Sequence, residues 1–262
     1  MLEVKNLTKI YDDGTVALRN VSFTVNEGDF LVIIGLSGSG KSTLLRCINR
    51  LVEPTEGQIL WKGKDITQAN QTELRHFRRR IGMVFQQFNL VKRSKVITNV
   101  LSGRLGYVKQ SHSLFYRFPR KDRQRAWDVM ERIGIADQAH KRADELSGGQ
   151  QQRVGIARAL MQEPEIILAD EPVASLDPVL AHSILQHLEA LNQEDNMTIL
   201  CSLHYLDLVQ RYSSRVIGLR AGELVYRGTR EDIRMMTDEQ FKDIYGQEAE
   251  RVGSGLEGTI GG

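Results

Sequence analysis

The sequence has 262 residues, 41% hydrophobic and 26% charged, with a formal net charge of +2, the makeup of an ordinary globular chain long enough to bury a core. Its longest clean apolar run, residues 30–36, falls far short of the roughly 18 residues that suggest a membrane span, and residues 1–6 show no signal-peptide pattern, so a cytosolic chain without spans is expected. The even charge balance gives no compositional argument for nucleic-acid binding, and Cys47 and Cys201, each among apolar neighbours and outside any Cys-x-x-Cys pair, read as reduced core residues.

Short strand-like runs fill the first third, at 21–25, 30–34 and 58–61, separated by the turn residues Glu27-Gly28-Asp29 and Pro54-Thr55-Glu56-Gly57. A basic helical stretch, 73–80, leads into a strand at 81–85. From 91 to 162 the pattern is mostly helical, and strands return at 165–169, 198–202 and 215–219. Near-continuous apolar strands alternating with helices predict an α/β fold with a parallel sheet covered on both faces, the helical block being an insertion. The expected organisation is one domain over 1–246, with core and β subdomain at 1–90 and 163–246, a helical subdomain at 91–162, and a flexible glycine-rich tail at 247–262. Residues 91–145 hold thirteen Lys or Arg against six Asp or Glu, so this stretch carries +7 and the rest −5. A solvated helical surface explains any single run such as 117–125; a face turned to anionic lipid or to a membrane protein is the sharper alternative.

The strongest local signal is Gly35-Leu36-Ser37-Gly38-Ser39-Gly40-Lys41-Ser42, followed by Thr43, which satisfies the P-loop spacing. An apolar strand feeds it and a helix with apolar Leu44, Leu45, Ile48 and Leu51 leaves it. Glycines let consecutive N–H groups converge on phosphates, and the helix N-terminus adds partial positive charge. Lys41 is therefore expected at the β and γ phosphates of a nucleotide and the Ser42 hydroxyl on magnesium. The strand at 165–169 ends in Asp170-Glu171, which can divide two tasks: Asp170 on magnesium, Glu171 on the attacking water.

Leu146-Ser147-Gly148-Gly149-Gln150 opens a helix running to about Met161, with Val154, Ala157, Leu160 and Met161 on its buried side. Ser147 and Gln150 have the spacing of a capping box. Two glycines in the first turn cost helix stability, about 1 kcal/mol each, and their use is backbone access: a hydroxyl and bare N–H groups at a positive helix end form a second anion site without a lysine.

On these motifs the chain, up to about Gly246, resembles the ABC transporter ATPases, with residues 146–150 matching that family's signature. The resemblance implies a P-loop NTPase with a RecA-like parallel-sheet core, a small antiparallel β subdomain and an inserted helical subdomain. It further implies that Ser147 and Gly149 of one copy close over ATP held by the P-loop of a second copy. Tyr11 would stack on adenine, Gln86 would link magnesium and water to the transport partner, Asp177 would sit at the subunit junction, and His204 would contact the γ-phosphate. The implied partners are a second copy, integral-membrane permease subunits and, indirectly, an extracytoplasmic solute-binding protein, with the chain peripheral on the cytoplasmic face of the membrane and no nucleic acid involved.

Longer stretches, 45–54, 85–91, 99–106 and 169–178, resemble the phosphonate-import ATPases in particular. Gly155 where alanine is common, and Tyr205-Leu206 where Gln-Val is usual, leave the ATPase expectation intact and the cargo open among phosphonate, phosphite or hypophosphite. An importer of another small solute such as an amino acid is the runner-up. An ABC ATPase acting on nucleic acid, with residues 75–80 as its patch, is a different class, and intact Lys41, Asp170, Glu171 and His204 speak against a third, a non-hydrolysing regulator. The six histidines form no His-x-x-x-His pair, so no zinc is expected.

Overall fold

Two sheets, one of six strands and one of four, organise the computed structural model, which describes residues 1–108 and 118–246. In the larger sheet the spatial order is β10-β9-β3-β8-β7-β6. The strands β3 (Phe30–Ile34), β6 (Ile81–Val84), β7 (Ile166–Ala169), β8 (Thr198–Ser202) and β9 (Arg215–Arg220) run parallel, and β10 (Glu223–Thr229) closes one edge antiparallel. Every residue of β3, β6, β7 and β8 is buried, which is why these segments read as unbroken apolar runs. Successive side chains of β3 point to opposite faces: Phe30, Val32 and Ile34 enter one core, Leu31 and Ile33 the other.

The first core joins the large sheet to helices of the 91–162 block, with Val154, Ala157 and Leu160 of α5 (Gly148–Leu160) buried in it. The second lies under the antiparallel sheet β2-β1-β4-β5, made of β1 (Leu2–Ile10), β2 (Val16–Val25), β4 (Glu56–Trp61) and β5 (Lys64–Asp65). Leu44, Leu45 and Ile48 of α1 (Lys41–Ile48) fill the space between. Cys47 and Cys201 are free and buried, as their apolar neighbours predict.

Several boundaries move. Helix α1 ends at Ile48 because the N–H groups of Leu51 and Arg50 turn back to Arg46 O and Cys47 O across a left-handed Arg50 (φ 49°), a C-terminal capping turn. Leu51 is thereby outside the helix and half-exposed. The helix expected at 73–80 is α2 (Gln71–Arg78), drawn forward by a capping box between Asn70 and Glu73. Beyond β10, α8 (Arg230–Arg234) and α9 (Asp238–Tyr245) bury Ile233, Phe241 and Ile244 in the first core. The tail expected at 247–262 lies outside the described residues, as does Arg117 of the basic run. Within 75–80, Phe77 is buried, Arg78 donates to Asn49 O and Arg50 O, Arg79 lies over the Tyr107 ring at 4.8 Å, and Arg80 pairs with Glu165 at 2.6 Å.

Candidate functional site

The P-loop runs from the end of β3 to the start of α1, and backbone sterics dictate its glycines. Gly35 (φ 144°) and Gly40 (φ 104°) have no room for a Cβ, which would lie 2.2 Å from Leu219 O and 2.5 Å from Ala17 O. Gly38 (φ 77°) differs: an added Cβ would meet nothing within 4 Å, because that side of the loop is open. Buried Lys41 bends back so that Nζ donates to Gly35 O (2.8 Å) and Leu36 O (2.9 Å). Burial lowers the pKa of its ammonium, opposed by the neighbouring Glu171 and Asp170 carboxylates. Ser39 Oγ is buried without a hydrogen-bond partner behind the loop, 2.7 Å from where a Cβ on Gly35 would lie. Ser37 is exposed on the loop, and Thr43 Oγ1 lies 3.3 Å from the hydroxyl of half-exposed Tyr11, itself under Lys9 Nζ.

Strand β7 delivers the carboxylates. Asp170 is 1% exposed, and its Oδ1 accepts from Ser42 Oγ (2.7 Å) and Ser202 Oγ (3.5 Å) while Oδ2 faces Arg46 Nη2 at 3.4 Å. Glu171 follows in a left-handed conformation (φ 46°), a strain of about 1–3 kcal/mol for a non-glycine residue, held by its N–H donating to Ser202 Oγ at 2.8 Å. That turn aims the side chain across the P-loop. Glu171 Oε1 lies 2.5 Å from His204 Nε2 and 3.7 Å from Lys41 Nζ. The His204 hydrogen bond, and then the charges of His204 and Lys41, lower the Glu171 pKa against the opposing effect of burial. Lys41, Ser42, Asp170, Glu171 and His204 thus form one connected cluster.

Ser202 and Arg46 belong to it too and escaped the sequence reading. Their signals were positional: Arg46 stands one helical turn after Ser42, and Ser202 is the residue after Cys201, which pairs with Ala169.

The signature residues stand apart. Ser147 caps α5, its Oγ accepting from Gln150 N (3.4 Å) while Gln150 Oε1 accepts from Ser147 N (3.0 Å), the capping box expected from spacing. Ser147 is exposed, and among the described residues no hydrogen bond or ion pair joins 146–150 to 35–43. Gly149 lies under Leu180, which an added Cβ would approach to 3.1 Å. Leu180 is set by Asp177, the N-cap of α6 (Pro178–Asp195), whose Oδ1 accepts from Leu180 N at 3.0 Å. Gln86 is exposed just beyond β6 and lines a groove of about 650 Å³ with Phe88, Asn89, Lys92, Gln151 and Ser175. The hydroxyl, carboxylate and amide oxygens of Ser42, Asp170 and Gln86 are hard donors of the kind magnesium takes.

The geometry has a counterpart in known proteins. The family described as ABC transporter matches residues 18–174, and this chain belongs to it. More narrowly, it is 53% identical over 245 residues to the Phosphonates import ATP-binding protein of Lactobacillus delbrueckii subsp. bulgaricus, covering 94% of each chain. It is 50% identical over 260 residues to the protein of that name from Shouchella clausii, covering 98% of this chain and 97% of that one. Among solved structures, an ATP-binding cassette of an ABC transporter in its ADP conformation superposes with a TM-score of 0.80 at 33% identity, covering 93% of this chain and 97% of the other. A dimeric cassette in a post-hydrolysis state bound to ADP and Pi gives 0.76 at 37% identity, covering 88% and 99%.

Proposed function

We propose that this chain is the ATP-binding and ATP-hydrolysing subunit of a membrane importer for phosphonate or a related reduced phosphorus oxyanion, acting as a pair of copies. The observation that carries the reading is the single Glu171 oxygen placed between His204 and Lys41 at the P-loop, with the Ser42–Asp170 hydrogen bond beside it. The two loop carbonyls that hold the Lys41 ammonium are partners that β- and γ-phosphate oxygens of ATP would replace. Gly38 and Gly40 offer backbone N–H groups to the same phosphates, and the Ser39 N–H would join them on leaving Leu36 O. Ser42, Asp170 and Gln86 would hold magnesium, which when bound neutralises phosphate charge. Glu171, kept ionised by its neighbours, orients the attacking water and takes its proton, and His204 steadies the γ-phosphate. Tyr11 stacks on adenine and Thr43 borders the nucleotide.

Exposed Ser147, capping a helix without a lysine, supports the assignment of the signature to a second copy: Ser147 and Gly149 of one chain close on ATP held by the other, and Asp177 lies at the junction. Loss of the γ-phosphate removes those contacts and opens the pair. The groove at Gln86 is where permease subunits would feel that opening, with the chain peripheral on the cytoplasmic face and an extracytoplasmic solute-binding protein selecting the cargo. The use of Arg78, Arg79 and Arg80 inside the chain disfavours nucleic acid as the partner. Phosphonate as cargo rests on the names of the relatives.

The test is uptake into vesicles carrying the cognate permease and binding protein. Wild type with ATP is expected to accumulate a phosphonate, Lys41→Ala is expected to do neither uptake nor hydrolysis, and ATP-driven uptake of an amino acid instead would reassign the cargo.

A further inference from the structure

Immediately after Gln86 the backbone does something its sequence does not favour. Phe88 (φ 55°) and Asn89 (φ 49°) are consecutive left-handed residues, neither a glycine, closing a tight turn in which Phe88 N donates to Phe85 O and Asn89 N to Gln87 O. Such a pair persists only where surroundings hold it. Here the holder is Arg158, from the far end of the signature helix α5: its Nη2 donates to Phe88 O at 2.8 Å and its Nη1 to Asn89 O at 2.5 Å. No carboxylate among the described residues pairs with Arg158, and burial disfavours its charge. A partly buried guanidinium that donates to both carbonyls of one strained turn fixes the shape of that turn.

We propose that Arg158 is a positioning residue for Gln86: it locks Phe88 and Asn89 in the left-handed conformation that fixes where the preceding Gln86 stands and forms the wall of the groove beside it. Arg158 acts through the turn, and it ties that turn to the helix whose tip carries Ser147. The inference rests on the hydrolytic reading above, in which Gln86 serves the reaction.

Arg158→Met keeps an unbranched stem and removes the guanidinium donors. The variant is expected to bind ATP within about twofold of wild type and to lose about ten- to a hundredfold in kcat, the scale of a misplaced catalytic group. Two double variants then separate a backbone role from mere packing. Arg158→Met with Phe88→Gly and Arg158→Met with Phe88→Ala both lose the ring, and only glycine makes a φ of 55° inexpensive. The glycine double variant is expected to turn over ~5-fold faster than the alanine one. Equal rates in the two, wild-type kcat in Arg158→Met, or a loss confined to ATP affinity would each overturn the proposal. Should Arg158→Met fail to fold, Arg158→Lys, which offers one nitrogen in place of two, is read against the same outcomes. Lys41→Ala serves as the control: if it hydrolyses ATP normally the hydrolytic reading has failed, whereas its loss beside an unaffected Arg158→Met sinks the positioning role alone.

Discussion

Glu171 Oε1 and His204 Nε2 lie 2.5 Å apart, and Lys41 Nζ is 3.7 Å from the same oxygen. One carboxylate oxygen is thus shared by the imidazole and by the lysine of the phosphate cradle. Removing or neutralising any of the three alters the other two.

Glu171→Gln keeps the shape of the side chain and removes its charge and basicity. Nucleotide binding is expected to survive, turnover to fall by about 10²–10⁴-fold, the usual share of a general base, and a closed dimer to accumulate with ATP and magnesium. Size-exclusion chromatography of that variant showing only monomer would contradict the paired arrangement.

The acid limb of turnover should respond to His204. Its hydrogen bond is the foremost cause of the lowered Glu171 pKa, so His204→Ala is expected to let that pKa rise and to move the acid limb of kcat to higher pH. Because Glu171 titrates below its ordinary range, whatever it contributes to native stability is complete above that range and is lost as pH falls through the depressed pKa. A pH–rate profile of His204→Ala with its acid limb unmoved would separate the two residues.

Mixing two inactive chains tests whether the signature acts across copies. Lys41→Ala and Ser147→Arg are each expected to be inactive alone. Paired, they retain one complete site, the lysine of one facing the serine of the other, so equal mixing restores about a quarter of wild-type turnover by statistical pairing. A mixture as inactive as its components would place the signature contact within one chain.

Two glycines of the same loop should fail differently. Gly35→Ala sets a Cβ against the backbone at Leu219 O and is expected to cost about 3 kcal/mol or more in stability. Gly38→Ala meets no atom and bears only its left-handed φ, about 1 kcal/mol, yet is expected to weaken ATP binding more than about tenfold by placing a methyl on the open side of the cradle. Thermal melts and nucleotide titrations distinguish the two losses.

Neither cysteine should react in the native state. Burial pushes the Cys47 thiol up to about 12 and raises that of Cys201 as well, so a thiol reagent is expected to label both only after denaturation. Labelling of Cys47 in the folded protein would show that the second core opens around α1.

Much of this was legible residue by residue. The P-loop spacing, the apolar strands at 30–34 and 198–202, and the Ser147–Gln150 capping box appear in the structure where the sequence puts them. The end of α1 was not, because nothing local marks Arg50 as left-handed. Nor was the turn at Phe88 and Asn89, where a distant arginine overrides local preference.

The sequence by itself determined what short-range physics controls: which loop has the glycines to approach phosphates, which segments are apolar enough for a two-sided sheet, and where a helix can be capped. Only the tertiary structure decided that Glu171 meets both His204 and Lys41, that Ser202 and Arg46 brace Asp170, and that Arg158 grips the turn after Gln86. Those contacts depend on β8 lying between β3 and β7, and on the signature helix packing beside the turn. Hydrophobic pattern tells a strand that it will be buried but not which distant strand will be its neighbour.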